Sequence, residues 1–123
     1  MSEKELHLAV CAYIKMQFPK VIFTSDLSGL KLTIGQSVQV KKMRSSNGIP
    51  DILIFKPNKE YHGLFIELKK DGARLFKKDG NFVSDHIKEQ VDIKNKLLSL
   101  GYFADIAIGF DEAKKLIDAY MAI

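Results

Sequence analysis

Apolar residues recur along this chain with two periods, one near 3.6 and one of 2, and the switches between them predict its elements. Over 2–18, Leu6, Val10, Tyr13, Ile14 and Phe18 fall at helical spacing; Ser2 supplies an N-cap, Glu3 and Glu5 suit the first turn, and Pro19 stops the helix. Residues 21–24 form a short β-branched run, read as a strand, and 25–30 a loop. Thr33 and Gln36 match a capping box and predict a helix over 34–44, although Gly35 and several β-branched residues leave an extended reading of 37–41 open. The apolar runs 52–55 and 64–68, bounded by proline and glycine, predict two strands joined as a hairpin. Next comes KDGARLFKKDGNF, whose Asp79-Gly80-Asn81 turn lies between Leu75-Phe76 and Phe82-Val83 and predicts a mobile loop or small hairpin. Ser84 caps a helix with Ile87, Val91, Leu97 and Leu98 that stops at Gly101. Residues 102–108 are a fourth strand ended by Gly109, and Asp111 caps a last helix over 112–121 with Ala113, Leu116, Ile117 and Tyr120 as its buried stripe. This order predicts an α/β fold, a mixed sheet flanked by helices.

Side-chain alternation gives the pattern chemical content. In the second strand of the hairpin Leu64, Ile66 and Leu68 face one way, and Phe65, Glu67 and Lys69 the other, with Glu67 and Lys69 about 7 Å apart along the strand. If the two strands are antiparallel, Asp51 at the start of the first comes beside Glu67. Two carboxylates at the end of a buried sheet repel each other, and a divalent cation relieves that repulsion. Asp51, Glu67 and the backbone carbonyl of Leu68 are oxygen donors suited to Mg²⁺ or Mn²⁺. Such a metal activates water and stabilises charge on a phosphate, and Lys69 is placed to orient or deprotonate the water or to neutralise the transition state. The plainer alternative is a set of ordinary ion pairs at a sheet end.

Gly48, Pro50-Asp51, Glu67-Leu68-Lys69 and Gln90 together resemble the PD-(D/E)XK nuclease superfamily and, within it, a small stand-alone phage-type VRR-Nuc domain. Leu68 stands where that group usually has Val. The resemblance implies a restriction-endonuclease-like fold and a Mg²⁺- or Mn²⁺-dependent DNA endonuclease selective for DNA structure, such as four-way junctions, flaps or bulged duplexes. It also implies that Gln90 faces the active site and that the first helix contributes an acidic residue, for which Glu5 fits better than Glu3. The alternatives are a catalytically silent DNA-binding domain and a protein-interaction module.

At 123 residues the chain is expected to form one domain over 1–123. No apolar run approaches a membrane span and the N-terminus lacks the order of a signal peptide, so a cytoplasmic location is expected. One cysteine, Cys11, excludes an internal disulfide and a Cys-rich zinc site, and is read as a small core residue. His7, His62 and His86 are scattered, without a ligand pattern, and are read as surface or helix-end residues. The net charge is +4, and its basic excess falls in 40–80, which holds ten Lys or Arg and five acids. DNA phosphates are expected there, on Lys41, Lys42, Arg44, Ser45, Lys70 and Arg74, with a solvated lysine-rich surface as the alternative. Phe76 and Phe82 either tuck under their loop or stack on unpaired bases. Tyr102, Phe103 and residues 120–123 offer an apolar face for a homodimer with two sites.

Overall fold

The computed structural model describes residues 1–26 and 30–123. The elements follow the chain as α1 (Glu3–Gln17), β1 (Phe23–Ser25), α2 (Ile34–Lys42), β2 (Ile52–Ile54), β3 (Leu64–Lys69), α3 (Asp85–Ser99), β4 (Phe103–Ile108) and α4 (Gly109–Met121). The loop expected over 25–30 falls largely on 27–29, outside the described residues. Among the described residues no helix is long and apolar enough to cross a membrane.

The four strands form one mixed sheet in the order β1-β2-β3-β4. β1 with β2 and β2 with β3 pair antiparallel, whereas β3 and β4 pair parallel, with α3 as the crossover between them. Leu64, Ile66 and Leu68 point to one face and are at most 1% exposed. They pack in a core with Leu6, Val10 and Ile14 of α1 and Ala113, Ile117 and Tyr120 of α4. α1 and α4 therefore cover that face, while α3 lies on the other, where Gln90 meets Glu67.

Local chemistry accounts for the helix starts. Ser2 Oγ accepts the Glu5 N–H at 3.1 Å, Ser84 Oγ accepts that of Ile87 at 3.2 Å, and Thr33 with Gln36 closes the capping box of α2. The extended reading of 37–41 is thus overturned, although α2 buries none of its residues. The last helix differs from expectation. It begins at Gly109, whose φ of 84° turns the chain straight out of β4, so Asp111 sits in its first turn and caps nothing. Glu112 Oε1 instead takes the N–H of Ile108 at 3.1 Å.

Part of the apolar face expected for a homodimer is packed internally, while Ile123 stays 42% exposed. Tyr102 stacks on Phe65, and Phe103 and Tyr120 pack around Tyr61, with Tyr120 donating its hydroxyl to the Lys56 carbonyl at 2.6 Å. Ile34 and Met43, by contrast, are 87% and 80% exposed on and beside α2.

Candidate functional site

Asp51 immediately precedes β2, and the register Ile52↔Ile66 continues to set it beside Glu67. Its Oδ2 accepts the Leu68 N–H at 2.8 Å, so the carboxylate extends the ladder past the strand's end, and its backbone carbonyl accepts the Asp26 N–H at 2.7 Å. Gly48 permits the approach of α3. With φ 85°, its absent Cβ would meet the Glu89 carbonyl oxygen at 2.8 Å, so only glycine lets this loop lie against the α3 backbone next to Gln90. Gln90 Nε2 then donates to Glu67 Oε1 at 2.5 Å and lies 3.2 Å from His86 Nε2. From the other face, α1 brings His7 Nε2 to 3.7 Å from Asp51 Oδ2.

His7, Asp51, Glu67 and Gln90 are the buried polar or charged residues among those described, at 3–5% exposure, and all four meet here. Burial first, then the neighbouring Asp51, pushes the Glu67 carboxyl up to about 10, with Lys69 pulling it down and Asp26 adding to the rise. Two buried side-chain atoms lack a hydrogen-bond partner among the described residues, His7 Nε2 and Gln90 Oε1, and both belong to this group. Crowded carboxylates beside buried polar atoms without a hydrogen bond are what a bound cation would satisfy. The donors present fit a hard divalent ion that keeps part of its water. Asp51 and Glu67 provide carboxylates and Leu68 a carbonyl on the same strand end, and among the described residues no three His, Cys, Asp or Glu side chains form a ready-made cage.

No model of a known protein family and no curated protein sequence matches the chain. Its structure is similar to that of a "VRR_NUC domain protein", with a TM-score of 0.70 and 25% identity over 99% of this chain and 89% of the other. It also resembles a "VRR_NUC domain" structure, with a TM-score of 0.52 and 20% identity over 98% and 99% of the two chains. The chain has a VRR-Nuc fold.

On this VRR-Nuc scaffold Asp51, Glu67, Leu68 and Gln90 converge, and Lys69 is half-buried near enough to act on the Glu67 charge. Glu5 does not join them. Its side chain is exposed, because the face of α1 turned to the sheet is that of Leu6, His7, Val10 and Ile14. His7, read from sequence as a surface residue, takes the inward position. The signal was there, since His7 precedes Val10 by three residues and Ile14 by seven, on the apolar stripe. His62 and His86 are exposed as expected.

Lys41, Lys42, Ser45, Lys70 and Arg74 are accessible on the surface. Arg44 is committed elsewhere: its Nη2 pairs with Asp26 Oδ2 at 2.6 Å, both partly buried, so it balances an acid near the site. Asp26 itself had no legible signal, for it follows a three-residue strand in a loop. Residues 75–83 form the small hairpin, with an isolated bridge between Phe76 and Phe82, whose rings stack at 5.1 Å while Phe76 stays 53% exposed.

Proposed function

We propose that this protein is a Mg²⁺- or Mn²⁺-dependent endodeoxyribonuclease with Asp51, Glu67 and Lys69 at its centre. The observation that carries the reading is Glu67, buried beside Asp51 at a strand end with its carboxyl pushed up to about 10. A site that holds two carboxylates this way takes up either a proton or a cation. Asp51, Glu67 and the Leu68 carbonyl would hold the cation, which when bound supplies an activated water and stabilises charge on the phosphate.

The chain's own residues do the rest. The Leu68 N–H fixes Asp51, and Gln90 fixes Glu67. Lys69, on the Glu67 face of β3, orients the attacking water or meets charge on the scissile phosphate. Lys41, Lys42, Ser45, Lys70 and Arg74 line the approach for the DNA backbone. The similarity to VRR_NUC domain structures supports a nuclease on DNA. The substrates proposed are structured duplexes, four-way junctions, flaps or bulges, cut by a homodimer of phage-type domains in the cytoplasm. Exposed Ile123 of the C-terminal face, and exposed Ile34 and Val38 of α2, offer apolar contacts for pairing.

The test is cleavage of a panel of duplex, flap and junction DNA with and without Mg²⁺ or Mn²⁺, alongside the Asp51→Ala and Lys69→Ala variants and light scattering for mass. Cleavage that EDTA stops and both variants lose is the expected result. Salt-sensitive binding with no metal-dependent nicking would leave only a DNA-binding domain.

A further inference from the structure

The geometry points to His7 as a nitrogen donor to the metal, through Nε2, which makes the centre prefer Mn²⁺ over Mg²⁺. This rests on the two-carboxylate reading of Asp51 and Glu67 and adds to it a ligand from α1 that is not a carboxylate.

The tautomer is assigned from the contacts behind the ring. His7 Nδ1 lies 3.4 Å from Ser25 Oγ, and Ser25 Oγ donates to the Asp26 carbonyl at 3.3 Å. A hydroxyl has a single proton, so whether it goes to the Asp26 carbonyl or to the Cys11 thiol, Ser25 Oγ then meets His7 as an acceptor, and we assign the His7 hydrogen to Nδ1 on that basis. Nε2 is left with a bare lone pair. It is buried, has no hydrogen-bond partner among the described residues, and Asp51 Oδ2 lies 3.7 Å away. With Nε2 turned toward Asp51 Oδ2, which also takes the Leu68 N–H, a cation between the two would be held by both, and an imidazole held by Nδ1–H on an outer partner is how histidine is presented to a metal.

Neither acidic residue near the start of α1 competes for the position, since Glu3 and Glu5 are both exposed. His7 and Asp51 therefore form a nitrogen-oxygen pair, with Glu67 beside Asp51, instead of a preformed three-residue cage. Oxygen donors alone suit Mg²⁺, and an imidazole among them shifts preference toward Mn²⁺ and later metals.

The experiment is Mn²⁺ titration into the whole protein followed by electron paramagnetic resonance, with pulsed detection of nitrogen coupled to the bound ion. The expected result is a ¹⁴N coupling that changes to the ¹⁵N pattern when histidine is ¹⁵N-labelled, persists in His86→Gln and disappears in His7→Gln. The preference for Mn²⁺ over Mg²⁺, from competition binding, should fall about tenfold or more in His7→Gln. If His7→Gln does not fold, labelled wild-type protein and His86→Gln still decide the matter, since His62, the remaining histidine, packs on Tyr102 beside Gly101, before the start of β3 and away from Glu67. Mn²⁺ bound with no histidine nitrogen overturns the inference and leaves the carboxylate site standing. A coupling lost in His86→Gln also overturns it. Failure of Mn²⁺ to bind overturns both readings.

Discussion

The two faces of β3 put opposite demands on the same six residues. Leu64, Ile66 and Leu68 are sealed against α1 and α4 in an apolar core, where burial alone is stabilising. Glu67, on the opposite face, is also buried but in its charged form is opposed by its surroundings, and Lys69 beside it is only half-buried. One face holds the strand in place. The other uses that rigidity to keep a carboxylate where water alone would not hold it, so the sheet's stability and the crowding of the site are coupled through a shared backbone.

That contrast can be broken one residue at a time. The largest effect is expected at Lys69→Ala, which should cut DNA cleavage on the order of 10²–10⁴-fold while the circular dichroism spectrum and melting curve stay near wild type. Ile66→Ala should do the reverse. Urea denaturation is expected to lose about 2–5 kcal/mol, with cleavage per folded molecule close to wild type.

Glu67 gives a signal that depends on pH. Its folded value of about 10 lies above its ordinary 4.5, so between those limits the folded state of the metal-free protein holds a proton that the unfolded state has released. Stability should therefore fall as pH rises from 4.5 towards 10, by at most about 1.4 kcal/mol per pH unit. Melting curves across that range should flatten in Glu67→Gln, and in wild type when Mn²⁺ replaces the proton. Smaller again is the Lys70→Ala/Arg74→Ala pair, which should lower the slope of log affinity against log salt by about 2 and leave melting unchanged. Least affected is monomer stability in Ile34→Ser on exposed α2, expected within about 0.5 kcal/mol.

Much of the fold and the acidic pair is legible in the chain because it depends on periodicity. With Ile66 counted inward, the alternation in 64–68 sends Glu67 to the face opposite Leu64 and Leu68, and the antiparallel pairing that brings Asp51 to it follows from a short connection between the two runs. What stays hidden depends on contacts between distant segments. His7 lies on the apolar stripe of α1, yet only the packing of α1 on the sheet shows that the stripe brings its ring to Asp51. Arg44 reads as one more cation in a basic run until the fold sets Asp26 against it. Asp111 fits the composition of a cap, but the left-handed turn at Gly109 starts the helix three residues earlier.

The pairing of Ile52 with Ile66 also carries a safeguard. Sliding β2 by a single residue would turn its inward side chains outward and carry Asp51 away from Glu67 in the same movement. A chain that has threaded its hairpin wrongly loses its core and its acidic pair together, so mispaired molecules would be inert as well as unstable.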